Sequence, residues 1–242
     1  MPRLIAPSLS YPTGATPGFD PSHPAVGDQV RIGYTASVIA LSGTVVNLMN
    51  GKAAAPTGSA AKSFGGIGPV TSYTGATDVS TLSGFVGTAI VSNAAMTMAA
   101  IGYITSITSG ASTFIVNQTG SSMSLGALSA GGDLVMTVNG TSIDSGISFP
   151  LSAPVFCVGS TQVNGGTNFV LVNLATGSIK TAAGAGSSAI SAGDGNYYFG
   201  NRNGIRVLNG GMAAAMVSVS PSQLSIPQLV QWAADPWSFW YL

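Results

Sequence analysis

His23 and Cys157 are the only histidine and cysteine in the chain, and all seven acidic residues are aspartates. That stock limits the chemistry on offer. Triad hydrolysis needs a histidine beside its nucleophile, but His23 lies in a proline-rich stretch and no Gly-x-Ser-x-Gly occurs. Cys157 falls in the apolar run Pro154 to Val158, where burial raises a thiol's pKa and silences it; a core cysteine is expected. Retaining glycoside hydrolysis needs two carboxyls about 5–5.5 Å apart, which on one strand means acids two or four positions apart. No two aspartates are so spaced; the nearest pair is Asp20 and Asp28.

Metals and cofactors fare no better. One Cys and one His cannot supply a zinc cluster. Calcium wants about six to eight oxygens, and Asp194-Gly195-Asn196 offers two oxygen-bearing side chains on a turn that Asx chemistry explains equally well. Gly184-Ala185-Gly186-Ser187-Ser188-Ala189 matches Gly-x-Gly-x-x-Ala, but no helical pattern follows, so a flexible turn is the better reading. The expectation is a non-enzyme without cofactor or metal. Arg202 and Arg206 flank a turn near Asp194, either bridging to that aspartate or forming the polar centre of an interface.

The elements that would position such residues are β-strands. Only 6% of the 242 residues are charged, the formal net charge is zero and mean hydropathy is +0.43. Without excess cations, the counterion-release term of nucleic-acid binding and a polybasic membrane patch are both missing. Leu, Ile, Val and Phe supply 60 residues, enough for a core and against disorder. Residues 79–132 carry no formal charge, yet Ser, Thr, Asn and Gly interrupt them too often for a spanning helix. Arg3 precedes no apolar core of signal-peptide type. So few charges suggest a surface covered by neighbours; a secreted protein with a merely polar surface is the plainer alternative.

Residues 1–27 carry Pro2, Pro7, Pro12, Pro17, Pro21 and Pro24. Proline fixes φ and removes a donor, so this block is expected to be an extended arm, with Tyr11 and Phe19 as apolar anchors. Residues 28–242 form the second unit. There Asn-Gly pairs at Asn50, Asn139, Asn164, Asn203 and Asn209 signal hairpins. β-type runs lie between them: Met123/Leu125, Leu134/Met136/Val138, Tyr197 to Phe199, Ile205 to Leu208 and Met212 to Val219. Phe169 to Leu174 reads as a central strand covered on both faces, and Ala94 to Ala100 reads as strand despite its alanines. The pattern predicts a two-sheet antiparallel sandwich or barrel. One helix is expected, from a capping box at Ser225 to Gln228 with Pro227 in the first turn to a stop at Asp235-Pro236. Trp232, Trp237 and Trp240 crowd the last eleven residues. They either seal the sandwich or, with Tyr241, offer a sugar platform.

The segments Tyr197-Tyr198-Phe199-Gly200-Asn201-Arg202-Asn203-Gly204 and Leu208 to Val217 resemble the closing strands of concanavalin A-like (laminin G-like) jelly rolls. The final helix with Asp235-Pro236-Trp237 is similar to the ending of such domains in tailed bacteriophages, as are Phe19 to Pro24 and the Leu134 to Gly140 hairpin. Where the first helical turn usually carries Glu, this chain has Gln228. The resemblance implies an all-β jelly roll of two curved antiparallel sheets, and it leaves function open because that fold carries lectins, glycosidases and structural modules.

Two functions follow as expectations. The first is a non-enzymatic structural virion protein, a capsid decoration tethered by residues 1–27, whose partners are other virion proteins and copies of itself. The second is a glycan-binding adhesin at a tail or fibre tip, with a host surface glycan as partner. Neither nucleic acid nor membrane is an expected partner. A bacterial surface adhesin is disfavoured by the missing signal peptide.

Overall fold

Short apolar runs separated by glycine-rich turns assemble into sheets in the computed structural model, which describes residues 23–24, 29–35, 45–46, 53–54, 61–65, 67–74, 80–83, 95–107, 111–117, 123–128, 131–187, 190, 196–200 and 207–239. In chain order the strands are β1 (Gln29–Thr35), β2 (Val45–Val46), β3 (Ala53–Ala54), β4 (Ala61–Gly65), β5 (Gly68–Tyr73), β6 (Ser80–Ser83), β7 (Ala95–Ser106) and β8 (Ala111–Asn117). They continue as β9 (Ser124–Leu128), β10 (Asp133–Val138), β11 (Thr141–Ser148), β12 (Val155–Gln162), β13 (Thr167–Asn173), β14 (Ser178–Gly184), β15 (Asn196–Phe199) and β16 (Asn209–Ser220), and one helix follows, α1 (Ile226–Ala234).

An eight-stranded sheet runs β14-β13-β12-β7-β16-β5-β4, with β1 also on β16. A six-stranded sheet runs β11-β10-β9-β8-β15-β6, and β2 pairs with β3. All of these ladders are antiparallel, as expected for a two-sheet sandwich. Strand β16 organises the larger sheet. One edge pairs with β7 along its length, while β5 takes Gly210 to Met212 and β1 takes Ala214 to Val219 on the other.

Two apolar layers fill the structure. The inner layer lies between the sheets and joins Met96, Met98, Phe169 and Leu171 to Phe114, Leu125, Leu134, Met136 and Phe199. The outer layer covers the opposite face of the eight-stranded sheet and joins Ala99, Ile101, Phe156, Val158, Val170 and Val172 to Leu229, Trp232, Trp237 and Phe239. Strand β13 is thus apolar on both faces because both faces are covered, as its unbroken run predicts. The alanines of β7 serve the same geometry, Ala100 facing inward and Ala99 outward. A bulge between Met212 and Ala214 puts Ala213 and Ala214 both outward and returns Ala215 to the inner layer. Cys157, in the inner layer, is fully buried, and desolvation pushes its thiol far above the ordinary range.

The turn signals divide. Asn139 (φ 51°) and Gly140 (φ 77°) both take positive φ in the two-residue turn joining β10 to β11, and Asn164 (φ 57°) turns between β12 and β13. Asn209-Gly210 does not turn: the pair opens β16. Val207 and Leu208 are not strand either, since the Val207 carbonyl accepts from the Ser112 hydroxyl at 3.0 Å and the Leu208 amide donates to the Gly200 carbonyl. Asn50 and Asn203 lie outside the described residues.

The helix forms as its capping residues predict. The Ser225 amide and hydroxyl both donate to Gln228 Oε1 at 2.9 Å, and the chain leaves the helix at Asp235. Its approach is clamped to the sheet by side chains. The Leu224 amide donates to Ser160 Oγ (3.0 Å) while Asn168 Nδ2 donates to the Leu224 carbonyl (2.9 Å). Gln223 Nε2 reaches the carbonyls of Ser160 (2.7 Å) and Gly166 (2.9 Å), and the Ser160 hydroxyl shares a buried 2.8 Å bond with Thr97. Trp232 and Trp237 are buried, so they seal the outer layer, and Trp232 donates to the Pro236 carbonyl at 3.3 Å.

The end of the proline-rich block belongs to this layer. His23 is 9% exposed, its ring centroid 4.7 Å from Trp232 and 5.4 Å from Phe239, edge-on to both. The arm therefore touches the chain's own C-terminal segment at residue 23, a contact that the sequence does not announce; residues 1–22 lie outside the described residues.

Two outcomes follow from this packing. Ser160→Ala leaves the buried Leu224 amide without its acceptor, and denaturant unfolding should show a loss of about 1–3 kcal/mol. Cys157 should resist a thiol-specific maleimide in native protein and react fully in guanidinium. Because the folded thiol is held protonated, its contribution to stability is complete below the unfolded thiol pKa of about 8.5 and declines as pH rises beyond it.

Candidate functional site

The outward-facing residues of β7 run Thr97, Ala99, Ile101, Tyr103 and Thr105. The C-terminal layer covers this row only part of the way. Ala99 and Ile101 are buried beneath it, Tyr103 is half-buried against its edge, and Thr105 is exposed. Where cover ends, β7 pairs with the start of β16 and β16 pairs with the end of β5. Tyr103, Gly211 and Ser72 stand in one rung across the three strands.

Two glycines make that rung. A Cβ on Gly211 would lie 2.7 Å from Tyr103 Cε1, 2.9 Å from Cζ and 3.0 Å from the hydroxyl, so the phenol ring occupies the space above the missing side chain. A Cβ on Gly210 would collide with the Tyr103 carbonyl. This close approach explains why Asn209-Gly210 runs as strand rather than turn. The ladder is irregular here, passing from Gly210–Ile104 to Asn209–Ser106, and the Thr105 hydroxyl donates to the Asn209 carbonyl at 2.9 Å to hold the irregularity.

Around the rung lies a cleft of about 440 Å³. Ser72, Thr74, Tyr103, Thr105, Ser106 and Asn209 line it, with Tyr73 and Gly210 completing the wall. The volume lies within the roughly 300–1,000 Å³ of ligand pockets. Among the described residues its lining offers an aromatic surface, hydroxyls and one amide, and no carboxylate, amine, imidazole or thiol. Such a wall can stack against a polar ring and hydrogen-bond it.

The described acids stand elsewhere. Asp144 Oδ1 accepts from the Gly146 amide at 2.8 Å in strand β11, and Asp235 ends α1, its backbone amide donating to the Trp232 carbonyl. Asp133 begins β10 on the other sheet. No cluster of three metal-ligating side chains occurs among the described residues, and no described helix is long and apolar enough to cross a membrane. Gly184 ends β14 and Gly186 packs on the backbone of Gly165, with Ser187 bridging to Val163; Ser188 and Ala189 of that motif lie outside the described residues.

Of the residues singled out from sequence, Tyr11, Phe19, Arg202, Arg206, Trp240, Tyr241 and Asp194 all lie outside the described residues. Tyr103 and its neighbours went unnoticed. Their signal is faint: one aromatic at the end of an apolar run, and a Gly-Gly pair that reads as a turn until its partner strand is known.

No family model and no curated protein sequence matches this chain. Similarity appears among solved structures. Domain 4 of AbnA, the GH43 extracellular arabinanase from Geobacillus stearothermophilus, in complex with arabinotriose, aligns with a TM-score of 0.55 at 12% identity over 85% of this chain and 98% of that one. The botulinum neurotoxin serotype C1 binding domain aligns with a TM-score of 0.51 at 12% identity over 84% of this chain and 51% of that one. Tailspike protein 2 of bacteriophage CBA120, in its enzymatically active domain, gives a TM-score of 0.43 at 15% identity over 72% of this chain and 30% of that one, too slight a likeness to argue from. At these identities the likeness concerns fold alone: the chain is similar to β-sandwich domains.

Proposed function

We propose that this chain is a non-catalytic virion module of a tailed bacteriophage that attaches to a glycan held in the Tyr103 cleft. The observation that carries the reading is the composition of the cleft wall among the described residues, an aromatic ring framed by hydroxyls and an amide. A saccharide has the matching character. Its C–H face stacks on an aromatic surface, and its hydroxyls exchange hydrogen bonds with Ser, Thr and Asn. Turnover asks for a positioned acid and base, and Asp133, Asp144 and Asp235 all stand outside the lining. The arabinanase domain in complex with arabinotriose is an example of a similar sandwich with a saccharide present. The concanavalin A-like jelly-roll identity rests on the segments Tyr197 to Gly204 and Leu208 to Val217, and the virion assignment on the proline-rich arm, the charge-poor composition and the phage-like ending Asp235-Pro236-Trp237.

From sequence alone, capsid decoration ranks ahead of a tail or fibre adhesin; the cleft favours the adhesin. Decoration stays as a second reading because His23 seats the root of the arm on Trp232 and Phe239, which would let residues 1–22 reach a neighbouring subunit from a fixed point. That reading expects a truncation of residues 1–20, sparing His23, to fold normally yet fail to join particles; normal incorporation would count against it.

The glycan reading is tested by a glycan array probed with the full chain. Reproducible binding should fall at least tenfold for Tyr103→Ala and for Thr74→Arg, which fills the exposed mouth without disturbing the core. Mass spectrometry should recover the bound glycans unshortened. An array without binders, or cleavage products, would refute the proposal.

A further inference from the structure

We infer that Asn139 is a site of spontaneous deamidation, converted in the folded protein to aspartate or isoaspartate well before Asn164 or Asn209. The inference is independent of the cleft and of the proposed function. In an Asn-Gly pair the glycine nitrogen gives up its proton and bonds the asparagine Cγ. The Cγ–Nδ2 bond breaks, and Nδ2 leaves as ammonia with that proton returned to it. Water then opens the five-membered imide at either carbonyl, giving aspartate or isoaspartate with no change of oxidation state. The reaction needs a glycine amide able to lose its proton, room to close on the side chain, and water.

Among the described residues, three Asn-Gly pairs carry the same chemistry into three surroundings. Asn139 and Gly140 are both exposed at the tip of the β10–β11 hairpin. Ladder pairing begins at Val138 and Thr141, so the Gly140 amide stands beyond it, and a Cβ on Gly140 would meet nothing within 4 Å. Asn164-Gly165 is exposed too, but its attacking nitrogen is engaged. The Gly165 amide donates to the Gln162 carbonyl at 2.9 Å, and the Asn164 amide donates to the Ser187 carbonyl at 2.9 Å. Asn209-Gly210 is held in β16, with Gly210 buried between Ile104 and Tyr73 and its backbone pressed on the Tyr103 carbonyl. Reaction at Asn164 must first break a hydrogen bond, and reaction at Asn209 must open a central ladder, whereas a hairpin tip moves at little cost. The product also disturbs the hairpin. Isoaspartate adds a carbon to the backbone of a two-residue turn, which the register Val138–Thr141 and Thr137–Ser142 cannot absorb without shifting. Either product adds a negative charge to a chain whose formal net charge is zero.

Peptide mapping by mass spectrometry tests this on the full chain aged in mildly alkaline buffer, with a parallel sample in guanidinium. In native protein the Asn139 peptide should gain about 1 Da at least tenfold faster than the Asn164 and Asn209 peptides. In guanidinium the three rates should come within about threefold of one another, because the surroundings that separate them are gone. Native Asn164 or Asn209 reacting as fast as Asn139, or Asn139 staying intact while it reacts in guanidinium, would overturn the inference. A tenfold lead for Asn139 that persists in guanidinium would also overturn it, since neighbouring sequence and not the fold would then set the order.

Discussion

The buried hydroxyl of Ser160 decides how the outer face of the eight-stranded sheet is closed. That face carries Ile101, Phe156, Val158, Val170 and Val172 and must be covered. The chain leaving β16 can cover it only by crossing β12 and β13, where its own amide and carbonyl groups would be buried. Ser160 and Asn168 answer both ends of the Leu224 peptide groups, and Gln223 ties the crossing to two further carbonyls. With the crossing held, α1 lays Leu229, Trp232 and Ala233 on the sheet. Among the described residues that layer reaches Tyr103, and the polar ends of β5, β7 and β16 lie beyond it. The cleft is what the clamp leaves uncovered.

Much of this arrangement is legible in the sequence, and the reasons are local. The helix limits follow from Ser225, Gln228 and Asp235 because capping is a contest over a few backbone groups that nearby side chains decide. Asn139-Gly140 turns because both residues tolerate positive φ. The double burial of β13 shows in Phe169 to Leu174, since a strand facing water on one side would alternate. Cys157 is inert for the reason its neighbours suggest: an apolar run leaves the thiolate nothing to stabilise it.

What the sequence hides is pairing at a distance. Asn209-Gly210 carries the same turn signal as Asn139-Gly140, but the backbone of β7 passes so near that glycine is required there for space rather than for φ. His23 reads as part of a loose arm until Trp232 and Phe239, more than two hundred positions later, are seen around it. Tyr103 reads as one more apolar residue until Gly211 is seen beneath it. Each case joins elements far apart in the chain, and composition or spacing cannot report that. The candidate contacts chosen from sequence, Arg202 and Trp240 among them, stand on segments outside the described residues, while the cleft came from residues that no motif marks.

In the proposed function the composition suits the chain to binding. Few charges, abundant hydroxyls and a sheet covered on both faces support a polar recess, and a preorganised recess loses little entropy when it takes a ligand. The most direct measurement is a crystal structure of the full chain soaked with a neutral oligosaccharide. The account predicts an intact sugar ring stacked on Tyr103, with its hydroxyls bonded to Asn209 and the neighbouring hydroxyl side chains. A sugar seated on another face, or one found cleaved, would contradict it.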